Sequence, residues 1–294
     1  MHKEPIRHHY IPQFILRNFA CDNDKKLNYY FDKESQSFSE REIREIFMER
    51  NLYRDEINCT DRPVQIEHDL SLYEREVSEL IKRKFLDKRK IEITKEEDNM
   101  LKLFFAIMSF RNINAKEKFS GSSSKEFKDF YKYFQPDEDL EDFWKRNLGH
   151  LVKCRSMKDV INHSEIDPPI KLFMLRDTKG YFGKYIVVVE SKEGDGFILG
   201  DCYPLVFTGD NLRLPMYDVA PISPDRAIVF ASTGVAFSQR SALTLRPGVF
   251  DQPETNENGN IVIITKRLFL DEVQFINREI EKNSHKGFIF YKSK

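Results

Sequence analysis

The feature that most constrains the fold is an almost wholly apolar helix in the first half of the chain. Met100, Leu101, Leu103, Phe104, Phe105, Ile107, Met108 and Phe110 follow Thr94-x-x-Glu97, a pattern in which a threonine and a glutamate cap each other's backbone N–H groups at a helix start. A helix apolar on nearly every side cannot lie on a surface, so this one is expected to form the buried centre of the molecule. Arg111 stands at its end. A cation there suits the helix dipole. An arginine closing a buried helix can equally be aimed into a pocket, and the two readings stand level.

A second helix is expected from about Gln65 to Phe85. Ile66, Leu70, Tyr73, Val77, Leu80, Ile81 and Phe85 recur in steps of three and four, the spacing of an amphipathic helix. Glu67 and Glu74 lie two turns apart and share a face. A third helix is expected over about Leu140 to Lys153, and a last one over about Leu270 to Asn283. Ser39-Glu40-Arg41-Glu42 has the form of another capping box. Strands are expected at Leu27 to Asp32, around Phe38, at Ile170 to Leu175, Tyr185 to Glu190, Phe197 to Leu199, Ala227 to Ala231, Ile261 to Ile264 and Gly287 to Tyr291, where β-branched and aromatic residues run between turn residues. Ser120-Gly121-Ser122-Ser123-Ser124 is the best linker. The sum is an α+β chain, helix-rich over residues 1–165 and mainly an antiparallel sheet over 166–294, expected to pack as one unit.

Composition narrows the class. Of 294 residues, 47 are Lys or Arg and 48 Asp or Glu, for a formal net charge of −1, so global attraction to nucleic acid is not indicated, although a local basic face remains open. No apolar run is long enough for a bilayer. Cys21, Cys59, Cys154 and Cys202 are scattered without paired spacing, which disfavours a zinc ribbon or disulfide scaffold and points to a reducing, cytoplasmic setting. Phosphate loops, dinucleotide fingerprints, H-E-x-x-H and G-x-S-x-G are all missing from the sequence.

The chain opens on Arg7-His8-His9-Tyr10-Ile11-Pro12-Gln13-Phe14-Ile15-Leu16-Arg17-Asn18-Phe19. Proline disfavours helix at the residue before it and suits a first helical turn, so His8 to Ile11 is expected to be extended and a helix to start at Pro12. His9-Tyr10-Ile11-Pro12-Gln13-Phe14 with Leu16 and Phe19 resembles the opening of a widespread, functionally uncharacterised microbial family with the pattern His-Tyr-hydrophobic-Pro-Gln-Phe-x-Leu-x-x-Phe. The helix carrying Glu67 and Glu74, the segment Gly200-Asp201-Cys202-Tyr203-Pro204-Leu205 and Pro221-Ile222-Ser223-Pro224 are similar to later parts of that family. Two positions depart from it: Arg111-Asn112-Ile113 lacks a proline, and Gly200 replaces a serine. The resemblance covers nearly the whole chain and brings no established activity.

Two functions are in play. In the first, the chain is a metal-dependent phosphodiesterase, with nucleic acid as its substrate. His9, beside His8, is base or ligand; Glu67, Glu74 and Asp201 hold magnesium or manganese; Arg17 or Arg111 neutralises phosphate. In the second, the same residues form a buried polar network in a non-enzymatic binding or sensing module. A defence or toxin-type role is compatible with both. The plainer reading of each residue is a hydrogen-bonded structural histidine, a solvated helix face, or an aspartate bonded to its own turn.

Overall fold

The computed structural model describes residues 6–112, 128–191, 194, 196–208, 215–232 and 245–291; the expected linker at 120–124 lies outside them. Seven α-helices and fourteen strands are described. The strands are β1 (Arg7–His9), β2 (Leu27–Asp32), β3 (Ser37–Glu42), β4 (Met48–Arg50), β5 (Lys90–Ile93), β6 (Lys184–Glu190), β7 (Leu199–Gly200), β8 (Leu205–Thr208), β9 (Pro215–Ser223), β10 (Arg226–Ser232), β11 (Glu254–Thr255), β12 (Ile261–Ile264), β13 (Lys266–Arg267) and β14 (Gly287–Phe290). The helices are α1 (Gln13–Asn18), α2 (Gln65–Lys84), α3 (Lys95–Arg111), α4 (Leu140–Leu151), α5 (Met157–Asn162), α6 (Pro168–Phe182) and α7 (Leu270–Asn283). The chain is α+β with mostly antiparallel pairing, but strands occur throughout, including five in the first hundred residues.

The apolar helix is α3. The Thr94 hydroxyl accepts from the Glu97 N–H and the Glu97 carboxylate accepts from the Thr94 N–H, as the spacing implies. Every residue from Leu101 to Met108 is buried. Phe105 meets Phe104 at 5.3 Å, Phe230 of β10 at 5.1 Å and Tyr203 at 6.1 Å between ring centres, so α3 lies across one face of the five-stranded sheet β13-β6-β10-β9-β8. The continuous β-branched run of β6 is explained by burial on both faces. Ile186 and Val188 join the core around α3, whereas Val187 and Val189 join a second core with Val273, Ile276 and Ile280 of α7; alternate residues of a strand face opposite ways.

Three smaller sheets surround this layer, with orders β3-β2-β14-β7, β11-β12-β5 and β1-β4. β12 therefore pairs with β5 and β11 rather than extending the main sheet. In the third sheet His8 lies opposite Glu49 and His9 opposite Met48. β7 can press on the end of α7 only because residue 200 is glycine: a Cβ there would stand 2.0 Å from Ser284 Oγ and 2.9 Å from Ile280 Cγ2.

Two sequence expectations fail. Ser39-Glu40-Arg41-Glu42 is not a helix start but most of β3, paired residue for residue with β2. The Asp32 carboxylate accepts the Glu34 and Ser35 N–H groups and closes that hairpin, and pairing outweighs the local capping pattern. Ile170 to Leu175 is helix, not strand. A short run such as Ile-Lys-Leu-Phe-Met-Leu fits both periods, and Pro168-Pro169 suits the first turn of a helix. Burial shows which period operates: Ile170 and Met174, four apart, are fully buried, while Leu172 is 66% exposed. Accordingly Met174→Ala should cost about 2–5 kcal/mol in urea unfolding. Leu172→Ala should stay within about 0.5 kcal/mol of the parent. Equal losses at the two positions would contradict the helical packing.

Candidate functional site

The opening motif folds into β1, a turn at Pro12 and α1, and this carries its two histidines to opposite fates. His8 is fully buried. Its Nδ1 accepts the Tyr53 N–H at 2.8 Å, and its ring stacks on the Tyr53 ring, 5.6 Å away and 6° from parallel. His9 contacts the Ile43 carbonyl through Nε2 at 3.1 Å and the Gln13 amide through Nδ1 at 3.2 Å. The Gln13 Oε1 then accepts from Arg17 at 2.8 Å. The consistent assignment is a neutral imidazole that donates from Nε2 and accepts at Nδ1. Burial, opposed by the Ile43 carbonyl and assisted by the charges of Arg111, Arg17 and His8, brings the His9 pKa down to about 4.

Behind this motif, α2 and the end of α3 contribute a buried ion pair. Arg111 Nη2 donates to Glu74 Oε1 at 2.7 Å; the guanidinium side chain has no exposed surface, and the glutamate side chain keeps 21%. The same guanidinium sits 5.9 Å over the Tyr53 ring. Among the described residues, Arg111 Nε and Nη1 are buried with no hydrogen-bond partner. The Trp144 indole N–H donates at 3.1 Å to the Phe110 carbonyl, which satisfies the helix end beside Arg111. Arg111 turns inward onto a carboxylate from another helix.

Glu67 lies within the field of both groups. Burial first, then the Glu74 charge, raise its pKa to about 8 against the opposing pull of Arg111. At neutral pH Glu67 is therefore mostly a neutral carboxylic acid, a proton donor beside an arginine. Glu74 is also shifted upward by burial, with Arg111 opposing. The shared face of Glu67 and Glu74 on α2 is as the seven-residue spacing implies.

Asp201 goes elsewhere. Its carboxylate is fully buried and accepts the His285 N–H at 2.8 Å and the Lys286 N–H at 2.5 Å. It ties the end of β7 to the turn between α7 and β14, bonding a loop 84 residues away and not its own turn. Its field reaches Tyr10 and Tyr30, and among the described residues no contact joins it to Glu67 or Glu74. Arg17 likewise ends on the Gln13 side chain. The expected convergence of seven residues thus reduces to His8, His9, Glu67, Glu74 and Arg111, with Tyr53 and Gln13 added. Gln13 was visible inside the opening motif as the residue four after His9; Tyr53 carried no sequence signal, because its place depends on β1 pairing with β4.

The pH behaviour of these groups has a definite sign. A carboxyl whose folded pKa lies above its unfolded value binds its proton more tightly when folded, so stability falls as pH rises from about 4.5 to about 8. A histidine lowered to about 4 acts oppositely: it costs stability as pH falls from about 6.5 to about 4. Glu67→Gln should therefore show a melting-temperature advantage over the parent that is absent near pH 4 and grows to a plateau above pH 8. His9→Gln should flatten the parent's loss of stability on the acid side. Parallel pH–melting curves for parent and variant would refute either assignment.

No match is found among curated proteins or among solved structures. A family model described as a protein of unknown function, DUF4238, matches residues 7–294. The match begins at the residue that opens β1 and takes in every element of the cluster, so the chain belongs to the DUF4238 family.

Proposed function

We propose that the cluster beneath β1 binds an anionic phosphoryl group and that the protein hydrolyses a phosphodiester there. The single observation that carries this reading is Arg111, a fully buried guanidinium with two N–H-bearing nitrogens that lack a hydrogen-bond partner among the described residues. A buried donor left unsatisfied is costly, and a planar guanidinium matches two phosphate oxygens at once. Glu67, with a pKa raised to about 8, is the group suited to give a proton to a leaving oxygen, since a catalytic acid works best with a pKa near the working pH. Glu74 holds the guanidinium in place. His9 is a positioning residue through Gln13, not the base, because both of its ring nitrogens are engaged.

The magnesium or manganese site expected from Glu67, Glu74 and Asp201 does not fit these residues. Asp201 spends its carboxylate on backbone N–H groups, and Glu74 shares its carboxylate with a guanidinium. No step is therefore routed through such an ion. Nucleic acid, as the finer choice of substrate, would need a basic approach. The groove beside α1, about 540 Å³, offers Arg17, Lys25, Lys26 and Arg44 but also Asp22, Asp24 and Glu42. Its charge is nearly balanced, so a nuclease or a defence role rests on the phosphodiester chemistry alone. No described helix is long and apolar enough to cross a membrane.

One observation favours a structural network instead: His8 Nδ1, both ring nitrogens of His9 and the Asp201 carboxylate all end on protein partners. Single-stranded DNA and bis(p-nitrophenyl) phosphate, each assayed with and without chelator, separate the two. On the hydrolase reading Glu67→Gln folds normally and loses roughly 10²–10⁴-fold in rate, while Arg111→Lys weakens binding of inorganic phosphate. If the parent neither binds phosphate nor turns over either substrate, the network reading stands and the hydrolase reading is lost.

A further inference from the structure

A second group of side chains lies on other elements, away from the β1 cluster. His150 is in the last turn of α4, His163 is the residue that ends α5, and Glu165 is in the segment leading into α6. One donor atom from each falls within 4.8 Å of the other two. The His150 Nδ1 is buried and has no hydrogen-bond partner among the described residues. It stands 3.5 Å from Glu165 Oε2, and the two imidazole rings are 5.1 Å apart at 51°. The Glu165 N–H donates to His163 Nδ1 over a long 3.3 Å. The Glu165 carboxylate is thus near the buried nitrogen without forming a hydrogen bond to it.

We infer that His150, His163 and Glu165 form a binding site for a divalent transition-metal ion of the zinc class. Zinc bonds of about 2.0–2.1 Å at tetrahedral angles put neighbouring donor atoms roughly 3.3 Å apart. The 3.5 Å separation of His150 Nδ1 and Glu165 Oε2 already has that spacing, and the ion supplies the partner that the buried nitrogen lacks. The remaining closure falls on His163 and Glu165. Glu165 is free to make it, with 68% of its side chain exposed, and His163 gives up only a long hydrogen bond. Two imidazoles and one carboxylate select zinc, cobalt or nickel over magnesium or calcium, which prefer all-oxygen sets.

The neighbourhood leaves room for the ion's other ligands. His150 and Glu165 line a cleft of about 210 Å³ that also holds Asp55 and Asp69. Arg146 and Lys145 line it too, but their charges are committed: Arg146 to Glu138 and Asp167, and Lys145 to Glu141. Lys153 is the stronger and Arg146 the weaker of two cations whose charge also acts on His150 and opposes the ion. Because His150 lies on α4 while His163 and Glu165 lie on the connection between α5 and α6, binding ties these segments together and stabilises the folded chain.

The test uses the full chain, freed of metal with chelator and titrated with Zn²⁺, and with Co²⁺ for its visible absorption. The parent should take up one ion per chain, rise in melting temperature and show the intense absorption of low-symmetry cobalt. Magnesium should not compete. His163→Ala and Glu165→Gln, both at partly or largely exposed positions, should each lower the affinity by more than about tenfold, since loss of an outer-shell partner alone costs roughly 10–100-fold. Glu67→Gln should bind the ion as the parent does, which separates this site from the phosphodiester site. Absence of saturable cobalt binding in the parent, or equal binding by parent, His163→Ala and Glu165→Gln, overturns the assignment.

Discussion

A guanidinium with no access to water closes the most apolar helix of the molecule, and the surrounding structure has to answer for it. Arg111 cannot be neutralised at any accessible pH, so a carboxylate must come to it. Glu74 does so, from two turns along the same face as Glu67. The helix that supplies both acids packs against α3 through Tyr73 and Phe104, 5.5 Å apart between ring centres, so the ion pair and the hydrophobic contact fix the same two helices. The cost appears next door. Burial first, and then the neighbouring charged carboxylate, make the Glu67 carboxyl hold its proton more tightly than usual.

The two histidines show how adjacent residues separate once a strand forms. β1 pairs with β4, and alternation sends one ring to stack on Tyr53 and the other to bridge Ile43 and Gln13. Neither keeps the freedom that a metal ligand or general base needs. What they do provide is anchorage: the motif is held through backbone pairing, ring stacking and the His9–Gln13–Arg17 chain at once. Asp201 performs a comparable task nearby, where its two oxygens gather the N–H groups of a turn and lock the β7 end against β14.

Much of the secondary structure was legible in order and type. The capping box at Thr94, the amphipathic steps of α2 and the all-round apolarity of α3 are local patterns with one structural solution each. Where two solutions were available the sequence did not decide. Ser39 to Glu42 satisfies a helix-capping pattern and a strand equally well, and a partner strand 9–15 residues earlier settles it. Ile170 to Leu175 satisfies both periods, and the side facing α3 settles it. In the candidate site, the α2 acids were legible because their spacing is a property of one helix. The exclusion of Asp201, the entry of Tyr53 and the meeting of His150, His163 and Glu165 were not, because each depends on which elements lie side by side.

By itself the sequence determined that a buried helix had to be surrounded, that Glu67 and Glu74 share a face, and that the chain opens extended before a short helix. These follow from backbone geometry and from the free energy of removing apolar surface from water, which act over a few residues. Only the tertiary structure decided which acid meets Arg111, which nitrogens of His9 are occupied and where Asp201 spends its charge. Those outcomes depend on desolvation and hydrogen-bond partners, and both are supplied by segments that are distant in the chain and adjacent only after it folds.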